Sequence, residues 1–136
     1  MIEHMPFVSI TRLRLRSWRF LPGLIWHTLR SSRQAKTAAG NLSAQVLRDA
    51  HNTFWTCSLW NDEAAMRAFK VSGAHRKAMP RLIDWCDEAS VAHWQQDSTK
   101  PPPWHEVHRR MQGEGRPSKV RHPSDAQRRF EIPAPR

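Results

Sequence analysis

Residues 53–75 read TFWTCSLWNDEAAMRAFKVSGAH, and the fold turns on how they are read. Thr53–Trp60 alternates as a strand does: Trp55, Cys57 and Leu59 face one way, and Phe54, Thr56, Ser58 and Trp60 face the other. Both sides carry large residues. A sheet covered on one side only shows a polar back, so this strand needs two covers, and a second subunit is the expected source of the second. Asn61 or Asp62 can then cap a short helix, with Glu63 favourable near its positive end. Met66 and Phe69 form its buried edge, and Ser72-Gly73 breaks it.

Working outward, a second helical run places His75, Ala78, Met79, Leu82, Ile83 and Cys86 in one stripe, interrupted by Pro80, which is expected to kink it. Ala89–Gln95 alternates again as a strand. Upstream, Phe7–Leu15 (FVSITRLRL) and Leu42–Asp49 read as strands, the latter joined to Thr53–Trp60 through Ala50-His51-Asn52. Between them, RFLPGLIWHTLRSSRQAK repeats apolar residues at helical spacing, with Pro22 early and cations late, and Ala39-Gly40-Asn41 stops it. The order over residues 6–96 is β-α-β-β-α-β, an α+β ferredoxin-like sheet with helices on one face.

The 136 residues suit one domain over 1–96, followed by a Pro-rich basic tail over 97–136 that is expected to be largely flexible. That tail holds seven of the ten prolines, and only WHEVHRRM at 104–111 could dock as a helix. Lys and Arg outnumber Asp and Glu by 22 to 12, a formal charge of +10. Such a balance steers toward anionic partners without specifying a fold. No run reaches the ~18 apolar residues of a membrane span, no signal-peptide core opens the chain, and Cys57 and Cys86 read as buried thiols. A cytoplasmic protein is the expectation.

The strand ending in Leu59-Trp60, the acids Asp62 and Glu63, Met66 and Phe69, and then Ser72-Gly73-Ala74-His75 resemble the dimeric α/β-barrel superfamily of antibiotic biosynthesis and haem-degrading monooxygenases. Within it the likeness is to spheroidene-monooxygenase-like and related bacterial proteins. The resemblance covers about 90 residues and implies that two ferredoxin-like subunits join their open sheet faces, leaving one pocket per subunit between sheet and helices. It implies a homodimer and monooxygenase activity on a hydrophobic or aromatic, even isoprenoid, small molecule. Fold alone does not settle chemistry, so a non-enzymatic ligand- or polyanion-binding protein is the alternative.

Within that pocket His75 is the candidate catalytic residue, and Trp60, Thr56, Ser58, Trp26 and His27 are the candidate pocket wall. A neutral imidazole can hydrogen-bond a phenolic oxygen or ligate haem iron. In haem-degrading relatives the resemblance puts the iron-ligating histidine one turn later, where this chain has Met79, so the cofactor expectation is none or haem. The pair His105–His108 lacks further ligands, and no metal site is expected. No GxGxxG, P-loop or GxSxG occurs. SWRFLPGLIWHTLR at 17–30 mixes Arg with Trp and Phe, which suits contact with an anionic membrane surface. Without an RNP-like strand or any Tyr, no specific nucleic-acid binding is expected.

Overall fold

The computed structural model describes residues 5–136, leaving the side chains of Ala74 and His75 outside the described residues. Strands β1 (Phe7–Leu15), β2 (Asn41–Arg48), β3 (Thr53–Trp60) and β4 (Cys86–Gln95) form an antiparallel sheet. A two-residue β5 (Arg116–Pro117) extends it, in the order β2-β3-β1-β4-β5. Helices α1 (Leu21–Thr37), α2 (Glu63–Lys70) and α3 (Gly73–Trp85) lie on one face, in the β-α-β-β-α-β order of a ferredoxin-like α+β fold. No helix among the described residues is long and apolar enough to cross a membrane.

Local chemistry sets the boundaries. Asp62 caps α2, its carboxylate accepting from the Ala65 N–H at 2.8 Å. Gly40 turns α1 into β2 at φ +83, where a Cβ would stand 2.6 Å from the Ala65 methyl. Helix α3 continues through Pro80 but ends at Trp85, and Cys86 already belongs to β4, paired with Leu15. The helical stripe extends to Cys86 because its side chain stays buried in either geometry. Sheet pairing to β1 decides which one it adopts.

On the helix-covered face Phe7, Trp60, Met66 and Ala35 form one buried cluster, and Leu15, Leu24, Phe54 and Cys86 another. Across the sheet, Val8, Ile10, Trp55, Cys57 and Leu59 form a third cluster, fully removed from solvent. The same chain supplies their cover. That cover is α4 (Trp104–Glu114), whose Val107 and Met111 are wholly buried against them, together with Ile132. The physical reason for expecting a homodimer through this face, two apolar sides on β3, is therefore met within one chain.

The expectation of a largely flexible tail misses this docking because so few apolar residues carry it: Val107, Met111 and Ile132, with Trp104 and Phe130 beside them. Specific polar contacts supplement them. After α5 (Asp125–Arg129) begins, the Gln127 amide both donates to the Ala89 carbonyl and accepts from the Ala89 N–H, at 2.9 and 3.1 Å. His108 meets the Ile132 carbonyl through Nε2 at 2.6 Å, which anchors the segment. No cluster of three or more metal-ligating side chains exists among the described residues. Between sheet and segment lies a buried ion pair, Arg12 Nη1 to Glu88 Oε1 at 2.8 Å, with Ser124 donating to the other carboxylate oxygen.

Candidate functional site

A cavity of about 240 Å³ lies between the sheet and α1–α3. Strand register builds its floor. Ser58 of β3 stands opposite Ser9 of β1, and Ser9 stands opposite His93 of β4. One residue pair further along, the row reads Thr56, Thr11 and Val91. Side chains two residues apart on a strand share a face, so a Ser–Ser–His row and a Thr–Thr–Val row lie side by side under the cavity. Leu24 and Thr28 of α1, Met66 and Phe69 of α2, and Ala78 and Leu82 of α3 form the opposing wall, largely apolar.

Of the residues singled out from the sequence, Thr56, Ser58 and His27 line this cavity. Trp60 does not. Its indole is fully buried beside Phe69, with ring centres 5.2 Å apart, and donates from Nε1 to Ser58 Oγ at 2.9 Å. It therefore orients a hydroxyl of the floor while standing behind it. Trp26 is outside as well, on the solvent side of α1. Two residues on from buried Leu24, it is carried about 200° round the helix, whereas His27, three residues on, returns toward the sheet. Backbone residue 75 sits in the first turn of α3, and the His75 side chain, the candidate catalytic group, lies outside the described residues.

His93 is the group that sequence reasoning missed. It projects from β4 into the floor row, half-buried, with its ring centre 5.6 Å from that of Phe7. Its pKa is lowered, first by desolvation and then by the nearby charges of Lys70 and Arg116, with Glu63 opposing. His27 is lowered by the same order of causes, desolvation first and then Arg81 and Arg30. Both imidazoles are thus held neutral at neutral pH, each with one nitrogen free to accept. Parity was the available signal: His93 alternates with buried Ala92 and Trp94 and so lies on the opposite face from them, and pairing with β1 turns that face toward the helices.

The surrounding field is positive. Lys70 and Lys119 border the cavity, the latter contributed with Ser118 by the segment after β5. Cys57 and Cys86 are buried thiols pushed up to about 12 by desolvation, which makes them unreactive as nucleophiles at neutral pH. Met79, not a histidine, lines the cavity at the position that the resemblance gives to the iron ligand of haem-degrading relatives.

Residues 21–81 match the family model described as antibiotic biosynthesis monooxygenase, a stretch from the start of α1 into α3. Among solved structures, a Nitrosomonas europaea protein provisionally assigned as an antibiotic biosynthesis monooxygenase is similar at TM-score 0.62 and 14% identity. That alignment covers 71% of this chain and 94% of the other. SnoaB, a cofactor-independent oxygenase from Streptomyces nogalater, is similar at TM-score 0.58 and 13% identity, over 71% of this chain and 98% of its own. A Pseudomonas aeruginosa protein follows at 0.61 and 13%, over 72% and 100%. Each alignment leaves uncovered a share of this chain about the size of the segment after β4. Among curated proteins no sequence match is found. The matched family is the broad one, and the narrower likeness to spheroidene-monooxygenase-like proteins gains no support from it.

Proposed function

We propose that this chain, which has the sequence signature and fold of the antibiotic biosynthesis monooxygenase superfamily, binds and oxygenates a small aromatic hydroxy compound in the sheet–helix cavity. The observation that carries the reading is His93: a neutral imidazole set in a row with Ser9 and Ser58 beneath an apolar wall. SnoaB's description as a cofactor-independent oxygenase supports the same class of chemistry.

In this reading the hydroxyarene lies against Met66, Phe69 and Leu82, with its oxygen toward the floor row. His93 accepts the hydroxyl proton as general base. Ser9 and Ser58 hydrogen-bond the resulting oxyanion, and Lys70 and Lys119 lower its energy through the local field. The electron-rich anion then reacts with molecular oxygen. One oxygen atom ends on a ring carbon as a quinone carbonyl, the other leaves as water with the two displaced hydrogens, and the substrate itself supplies the electrons. The volume of about 240 Å³ suits one or two fused rings, not an extended isoprenoid.

Naphthols are suitable probes. Oxygen uptake with naphthol is expected, along with quinone absorbance, and His93→Gln should abolish uptake while leaving naphthol binding within about threefold. Absence of uptake across a panel of hydroxyarenes, or undiminished turnover by His93→Gln, defeats the proposal. Tight naphthol binding without oxygen uptake would instead favour the alternative, a ligand-binding protein using the same cavity. His75→Ala belongs in the same series, as the substitution that tests the candidate read from the sequence.

A further inference from the structure

Apart from the cavity, the outer side of α1 and α3 carries a surface that core packing does not use. Trp18 and Trp26 are 64% and 59% exposed, and Leu29 is 59% exposed beside Ile25. Ile25, Trp26 and Leu29 are neighbours on α1 at helical spacing, and Trp18 lies in the turn just before it, a density of exposed apolar side chains that soluble surfaces seldom show. Cations surround them. The Arg30 guanidinium lies 5.8 Å from the Trp26 ring centre, and Arg19 projects from the turn that also carries Trp18. A groove between the helices is lined by Pro22, Trp26, Arg30, Lys77, Arg81 and Trp85.

Acids do not balance these charges. The sequence has no Asp or Glu between Glu3 and Asp49. The only acid of α3, Asp84, is turned toward Arg16, Arg121 and His122, at 3.6, 3.3 and 3.8 Å. Among the described residues no salt bridge engages Arg19, Arg30, Lys77 or Arg81.

We propose that this α1–α3 surface docks on an anionic lipid bilayer, with Trp18, Trp26 and Leu29 entering the interface and the Arg30–Lys77–Arg81 groove receiving a headgroup phosphate. Trp rings favour the headgroup level, and Lys and Arg beside a shallow apolar face are drawn to anionic lipid. The aliphatic members decide between lipid and nucleic acid. A strand-binding groove uses stacked rings and backbone-tracking cations, and gains nothing from exposed Leu29 and Ile25. His27 borders both groove and cavity, so the docked face is also the α1–α3 side of the cavity.

The test is sedimentation of the full chain with phosphatidylcholine vesicles, with and without phosphatidylglycerol, at low and high salt. Binding to the phosphatidylglycerol vesicles alone is expected, weakening as salt rises. The pair Arg30→Glu and Arg81→Glu should lower partitioning by about tenfold or more, and so should the pair Trp18→Ala and Trp26→Ala. These side chains are exposed, and circular dichroism checks that each variant is folded. Reversing Arg128 and Arg129, exposed on α5, should change partitioning less than about twofold, which separates a local surface from the overall charge of +10. The proposal is overturned by no sedimentation with anionic vesicles, by equal losses in the α5 control, or by undiminished binding of both surface variants. Binding of a single-stranded oligonucleotide with vesicles left unbound overturns it as well. None of these readouts depends on turnover in the cavity.

Discussion

The two faces of the same sheet are used in opposite ways. Alternate residues of β1 and β3 supply both: Val8 and Ile10 with Trp55, Cys57 and Leu59 on one side, Ser9 and Thr11 with Thr56 and Ser58 on the other. The first set is filled to completion by Val107, Met111 and Ile132 from the C-terminal segment. The second is roofed by α1–α3 but left hollow, with hydroxyls and one imidazole on its floor. The filled face leaves no room for a ligand, and the space for a small molecule lies on the hollow one.

That contrast predicts a graded set of outcomes. Removing residues 97–136 bares the filled face, so the truncated chain should self-associate or lose its cooperative melt, whereas the full chain should be monomeric in light scattering at micromolar concentration. A monomeric truncated chain with an unchanged Tm would break the comparison. Next in size, Glu88→Ala leaves the Arg12 guanidinium buried without its partner and should cost about 3–5 kcal/mol in chemical denaturation. Met111→Ala, which empties the centre of the same face, should cost about 2–5 kcal/mol.

Effects on the hollow face should be smaller. Ser58→Ala removes the acceptor of the buried Trp60 N–H and is expected to cost about 1–3 kcal/mol. Thr56→Val, at the cavity floor, should fall within about 0.5 kcal/mol of the parent while changing naphthol affinity. A large loss from Thr56→Val would show that the floor is structural after all.

A pH effect completes the series. The lowered pKa of His93 means that its neutral form persists as pH falls below the ordinary value of 6.5. In the unfolded chain the imidazole takes up its proton at higher pH than in the folded one. Its contribution to stability is therefore complete above pH 6.5 and lost as pH falls through the folded pKa. The acid limb of turnover should likewise lie below pH 6.5, and a limb above it would remove His93 as the base. The lowered pKa of His27 adds to the same slope in stability, so the comparison of His93→Gln with the parent isolates the His93 share.

Much of this was legible in the sequence. The alternation of Thr53–Trp60, the Asp62 cap and the break at Ser72-Gly73 are local signals, each written within a few residues, and they suffice for the element order. The candidate site was legible only in part. Ser58, Thr56 and His27 follow from parity and helical spacing, but Trp26 needs the exact facing of α1, and His93 needs the pairing of β4 with β1.

By itself, then, the sequence determined the alternation, the caps and breaks, the excess of cations, and the need for a second cover over β3. Only the tertiary structure decided what supplies that cover. Local pattern states that a face is apolar but not what meets it, and the three residues that meet it, Val107, Met111 and Ile132, are scattered through a polar, proline-rich stretch. The same holds for the cavity. Ser9, Ser58 and His93 lie far apart in sequence, and strand register alone sets them in one row.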